Sequence, residues 1–191
     1  MQGQYVAMDC ETGGIGDDKC LLTVYFAILD KNLNVLDELD LKVKPNDGIY
    51  AVTAKALEIN KINLVEHDIA AITYEAASSA IFTFLEKNNP GGRNKLTPLG
   101  HNVAFDVRFV CQKTLSKKSW DKYCSYRTLD TGTISQFLMA TGYLPATMKA
   151  SLGALADHFG IKFDSHTAKG DTLACRDVLR AMMEKLPPND Y

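Results

Sequence analysis

Tyr5-Val6-Ala7-Met8-Asp9-Cys10-Glu11 begins as a short apolar run and ends in two carboxylates one residue apart. Read as a strand over Tyr5 to Asp9 with the acids at its end, it sends alternate side chains to opposite faces. Asp9 and Glu11 then converge on one side while Cys10 turns to the other. Two further strands are predicted next, Leu21 to Asp30 and Val35 to Val43. The second alternates apolar and polar residues before Pro45, the pattern of an edge or half-exposed antiparallel strand. After that the period changes. Ala51 to Asn60 predicts a short helix, and Thr73 to Lys87 carries a helical stripe at Ala77, Ala80, Ile81, Phe84 and Leu85. Leu96 to Gly100 returns as a short strand leading into a helix through Phe105, Phe109 and Val110. The last third predicts helices at Ile134 to Ala140, Leu152 to Phe159 and Thr172 to Leu186, with Gly160 and Pro187-Pro188 as stops. Strands in a row, then a strand among helices, predict an α/β domain with a mixed sheet.

Composition narrows the functional classes. A chain of 191 residues, 46% hydrophobic and 23% charged, is long enough to bury a core without disulfides or a structural metal. Neither a composition shift nor a linker divides it, so one domain over residues 1–191 is expected. Twenty-one Lys and Arg against 23 Asp and Glu give a net charge of −2, which argues against a protein that coats long nucleic acid. It leaves room for one that holds a short end or meets phosphates through metal ions. Cys10, Cys20, Cys111, Cys124 and Cys175 are odd in number and lack C-x-x-C spacing, which favours reduced thiols and a cytoplasmic protein. The N-terminus has no signal-peptide pattern, and no apolar run reaches the roughly 18 residues of a membrane span.

Three more pieces bear on the chemistry. Asp106, in Gly100-His101-Asn102-Val103-Ala104-Phe105-Asp106, falls in the first turn of the helix after the fourth strand. His166-Thr167-Ala168-Lys169-Gly170-Asp171 puts a histidine five positions before a carboxylate. On one continuous helix those side chains would lie about 140° apart, so His166 is expected on the loop and Asp171 in the first turn of the final helix. Singly, each piece also suits a solvated strand end or a helix start. Together they sit where an α/β sheet gathers a site, and oxygen donors suit Mg²⁺ or Mn²⁺ better than zinc.

In this order, D-x-E at Asp9 and Glu11, H-N-x-x-F-D ending at Asp106, and H-x-A-x-x-D from His166 to Asp171 resemble the DEDDh (DnaQ-like) 3′–5′ exonucleases. That superfamily includes RNase T, oligoribonuclease and polymerase proofreading subunits. The likeness runs through most of the chain, from Asp9 to Leu186. Thr128-Leu129-Asp130-Thr131 resembles a further family segment, which makes Asp130 structural. Lys169-Gly170 departs from the bulkier residues often found there.

The resemblance implies an RNase H-like mixed five-stranded sheet with helices on its faces. It implies two divalent cations, Mg²⁺ or Mn²⁺, on Asp9, Glu11, Asp106 and Asp171, and His166 as general base. The expected reaction releases nucleoside 5′-monophosphates from single-stranded 3′ ends of DNA or RNA, with backbone contacts at Thr12 and Gly13 and a neighbour in Phe105. A homodimer or a polymerase-type partner both stay open, and no membrane is expected. The competing classes are a silent nuclease-fold binding module or partner subunit, and a small-molecule phosphodiesterase. Gly13-Gly14-Ile15-Gly16 is not a phosphate loop, since it lacks G-K-[ST] and runs into Asp17-Asp18. Lys117 to Tyr123 interleaves three cations with two aromatics, which suits either a single-strand platform or a helix end anchored by Trp120.

Overall fold

The computed structural model describes residues 3–186; Pro187-Pro188, expected to stop the last helix, lie outside them. Six strands form one mixed sheet: β1 (Tyr5–Thr12), β2 (Leu21–Leu29), β3 (Val35–Lys44), β4 (Ile72–Thr73), β5 (Thr97–Gly100) and β6 (Leu129–Asp130). Their order is β4-β3-β2-β1-β5-β6. β1 to β3 pair antiparallel, while β5 runs parallel to β1 and β6 parallel to β5. The sheet therefore has six strands against the five expected, and both edge strands are only two residues long.

Among the described residues eight α-helices cover it: α1 (Ala54–Asn60), α2 (Leu64–Ala70), α3 (Tyr74–Asn88), α4 (Val103–Lys113), α5 (Lys117–Tyr123), α6 (Thr131–Ala140), α7 (Leu152–Phe159) and α8 (Ala168–Met183). Local chemistry sets their starts. Thr53, Asn63, Thr73, Ser116, Asp130, Ser151 and Thr167 each accept a backbone N–H from the first turn. α2 was not expected from the sequence; its Val65 and Ile69 are exposed, so it shows no clear apolar stripe.

The alternation of β1 is visible in the packing. Val6, Met8 and Cys10 join Phe26, Ile81, Phe109 and Trp120 in the core under α3, α4 and α5. Ala7 faces the other way with Tyr25 and Ala27, against Cys175 and Leu179 of α8. β2 is buried almost throughout, as befits a strand covered on both faces. β3 alternates as expected of a half-exposed strand. Among the described residues all five cysteines are free thiols, and no helix is long and apolar enough to cross a membrane.

Candidate active site

β1 and β5 run parallel, so their carboxyl ends share one edge of the sheet. β1 carries Asp9 and Glu11 there, opposite Tyr25 and Thr23 of β2. β5 ends at Gly100, packed so tightly that a Cβ would lie 2.8 Å from Val103 Cβ and 2.9 Å from the Met8 carbonyl oxygen. Only glycine lets this turn seat α4 against the end of β1. Asp130 finishes the seating. Its Oδ2 accepts the Val103 N–H (2.9 Å) and its Oδ1 the Thr133 N–H (3.1 Å), so one carboxylate caps α4 and α6 together. This agrees with a structural role for Asp130.

Three of the four expected carboxylates meet on the α8 face. Oxygens of Asp9, Glu11 and Asp171 all lie within 4.8 Å of one another. Asp171 sits in the first turn of α8, and His166 lies on the preceding loop at φ 63°. The His166 N–H donates to Asp171 Oδ2 at 3.2 Å. The loop-then-helix arrangement is therefore as expected, and the His166 side chain is exposed.

Asp106 arrives from the other face and is not part of that trio. It is buried in the first turn of α4, and its Oδ1 accepts both the Cys10 N–H and the Cys10 thiol, each at 3.0 Å. Cys10 thus turns away from Asp9 and Glu11, as strand geometry requires, and meets the fourth carboxylate there.

All four acids are held above the ordinary carboxylate range. Burial is the largest cause for Asp9, with repulsion from Asp106, Asp171 and Glu11 added to it. Glu11 is pushed up to about 7 by burial and by Asp171 and Asp106. Burial takes Asp106 to about 7 against the two Cys10 hydrogen bonds, and Asp171 to about 6 against the favourable charge and N–H of His166. Crowded carboxylates with few donors are stabilised by a cation, and an all-oxygen set matches a hard divalent one. The residues present fit a divalent metal.

Beside Glu11 opens a cleft of about 500 Å³, lined in part by Thr12, Ile15, Lys19, Ile59 and Phe105. Thr12 and Phe105 thus border it, as a substrate-contact role requires. Gly13 differs. Its N–H donates to the Cys20 carbonyl (2.8 Å), and its carbonyl accepts from the Thr53 N–H (2.7 Å) and hydroxyl (3.2 Å). Both backbone groups are committed to holding the loop against α1. Ile59 and Lys55, which also border the cleft, were not singled out in the sequence. They reach it from a helix more than 40 residues downstream of β1, and no local pattern marks them.

The Lys117 to Tyr123 segment forms α5 with Trp120 and Tyr123 in the core, so it offers no stacking platform. Two of its three lysines are engaged as well: Lys117 pairs with Asp121, and Lys122 reaches Tyr123 Oη (2.8 Å) and Glu86 (3.4 Å). Asp17 and Asp18 are likewise paired, with Arg108 and Lys19.

No protein-family model and no curated protein matches the chain. Solved structures do. Over 96% of its length the chain superposes on E. coli Exonuclease I in complex with a dT13 oligonucleotide, with TM-score 0.77 and 17% identity. The zinc-bound form of the E. coli ExoI–ssDNA complex matches over 98% of the chain, with TM-score 0.77 and 18% identity. An ExoI/SSB-Ct complex matches over 98%, with TM-score 0.75 and 17% identity. In each case the chain spans 42% of the length of the matched structure. The shared feature is the fold, an α/β RNase H-like architecture.

Proposed function

We propose that this chain is a divalent-metal-dependent exonuclease that shortens single-stranded 3′ ends through one nuclease domain, releasing nucleoside 5′-monophosphates. The observation that carries the reading is the meeting of Asp9, Glu11 and Asp171 within 4.8 Å, beside the His166 loop, on a fold shared with Exonuclease I. In this reading Asp9, Glu11, Asp171 and Asp106 hold two cations, Mg²⁺ or Mn²⁺. When bound, such ions lower the pKa of the attacking water and offset charge on the leaving 3′-oxygen.

The chain supplies the rest. An imidazole nitrogen of His166 accepts the proton of the attacking water as general base. The cleft beside Glu11 receives the terminal nucleoside, with Phe105, Ile15 and Ile59 offering apolar surface to the base and Thr12 at the mouth. Holding one end needs few phosphate contacts, which is consistent with a net charge of −2. The dT13 complex of Exonuclease I supports single-stranded DNA as the substrate class, and the reading extends to RNA.

The test is hydrolysis of matched 5′-labelled single-stranded DNA and RNA with Mg²⁺, Mn²⁺ or EDTA. A metal-dependent ladder descending from the 3′ end is expected, and the faster polymer identifies the substrate. Internal cuts, or a ladder that persists in EDTA, contradict the reading.

A further inference from the structure

The segment Asp164 to Thr167 folds back over the first turn of α8, and three hydrogen bonds hold it there. The Thr167 hydroxyl donates to the Asp164 carbonyl at 2.8 Å, and the Gly170 N–H donates to Thr167 Oγ1 at 3.1 Å. The third is the His166 N–H to Asp171 Oδ2, made with His166 in the left-handed region. This fold-back is possible only over a residue without a side chain. A Cβ on Gly170 would stand 2.0 Å from the Asp164 carbonyl oxygen and 2.6 Å from Thr167 Oγ1. Gly170 lies inside α8, so the demand is for space and not for an unusual φ.

The helix beneath is anchored separately. Lys169 Nζ lies 3.1 Å from Glu38 Oε1 and 5.3 Å from the Tyr25 ring centroid, and the Tyr25 hydroxyl donates to Glu38 Oε2 at 2.5 Å. Tyr25 is the β2 partner of Asp9. Further along, Cys175 and Leu179 bury the helix against the sheet. Asp164, Ser165 and His166 are exposed. A side chain added at Gly170 therefore displaces the loop, while Asp171 stays with the pinned helix.

We infer that Gly170 and Thr167 are positioning residues for His166, forming a latch that lays the proton acceptor beside the metal-binding carboxylates. This rests on the proposed function, in which His166 is the base. The experiment is a pair of double-mutant cycles, Gly170→Ala and Thr167→Val each made in wild-type and in His166→Ala backgrounds. Turnover of a single-stranded oligonucleotide is followed, and Mn²⁺ affinity is measured by calorimetry. Gly170→Ala is expected to lower kcat about 10²-fold, the scale of an ångström-sized misplacement. KM and Mn²⁺ affinity should stay within about twofold, because a displaced loop leaves the cleft and the trio in place. Thr167→Val should lower kcat about tenfold, and Thr167→Ser should restore it, since only the hydroxyl is at issue. Neither change should lower kcat further once His166 is alanine. Gly170→Ala at wild-type kcat, or with the same loss in the His166→Ala background, overturns the latch while leaving the nuclease reading intact. If Gly170→Ala does not fold, Thr167→Val decides by the same criteria. A His166→Ala protein at full kcat overturns the general-base reading, and the latch with it.

Discussion

At the carboxyl end of β1 the two faces of one strand hold their acids in opposite ways. On the α8 face, Asp9, Glu11 and Asp171 crowd within 4.8 Å, and the His166 N–H is a donor reaching that group. On the α4 face, Asp106 is buried with its Oδ1 already held by two donors of Cys10, though it still repels Asp9 and Glu11. Burial raises all four carboxyls; for Asp9 and Glu11 neighbouring carboxylates add to it, for Asp106 the Cys10 hydrogen bonds oppose it, and for Asp171 the charge and N–H of His166 do. The first face is left to be neutralised from outside, whereas the second is aligned in advance. A centre that admits a cation and still keeps its geometry needs both.

Removing a charge from the crowded face should have the largest effect. Asp9→Asn is expected to take turnover below detection while raising the melting temperature of the metal-free protein at pH 8 by about 2–4 °C, because a buried repulsive charge is lost. Oligonucleotide hydrolysis and thermal unfolding of the same preparation check both. Turnover near wild-type would remove Asp9 from the metal set. Next, His166→Ala should lower kcat by about 10²–10⁴-fold with Mn²⁺ affinity preserved, read by turnover and calorimetry. Lost Mn²⁺ affinity would show instead that the loop holds the trio together.

The pH dependence of stability follows from the same contrast. Glu11 and Asp106 at about 7 and Asp171 at about 6 bind protons in the folded state that the unfolded chain releases near pH 4. Their contribution is complete below about pH 4 and is lost as pH rises through about 7. These groups should therefore lower the melting temperature of the metal-free protein across that window. Saturating Mn²⁺ should remove most of the loss at the upper end. A rising or flat curve without metal would mean that the acids are not crowded in solution. The smallest effect belongs to the aligned face. Cys10→Ala removes a weak thiol donor but leaves the backbone N–H, so kcat should fall only a few-fold, with Cys10→Ser closer to wild-type. A loss as large as that of Asp9→Asn would erase the distinction between the faces.

What could be read from the sequence follows how far apart the cooperating residues are. β1, β2 and β3 announce themselves because each is long enough to show a period. β4 and β6, at two residues each, have none, and neither is read as a strand from the sequence. Alternation along Asp9-Cys10-Glu11 correctly separates the two faces, and Gly170 with its polar lead-in correctly puts His166 on a loop. The identity of Cys10's partner was hidden, since Asp106 lies 96 positions away and no pattern in either segment records the bond. The same distance effect hides the α1 wall of the cleft. Gly13 commits both backbone groups to its own loop, and Trp120 takes the anchoring role that was one of the two readings of its segment.

The most direct measurement is a calorimetric titration of the metal-free wild-type protein and its Asp9→Asn variant with Mn²⁺ at pH 8. Two ions bound per wild-type chain, with at least one lost in the variant, is the predicted result. No binding to the wild type, or an undiminished isotherm in Asp9→Asn, would contradict the claim that this end of β1 is a metal centre.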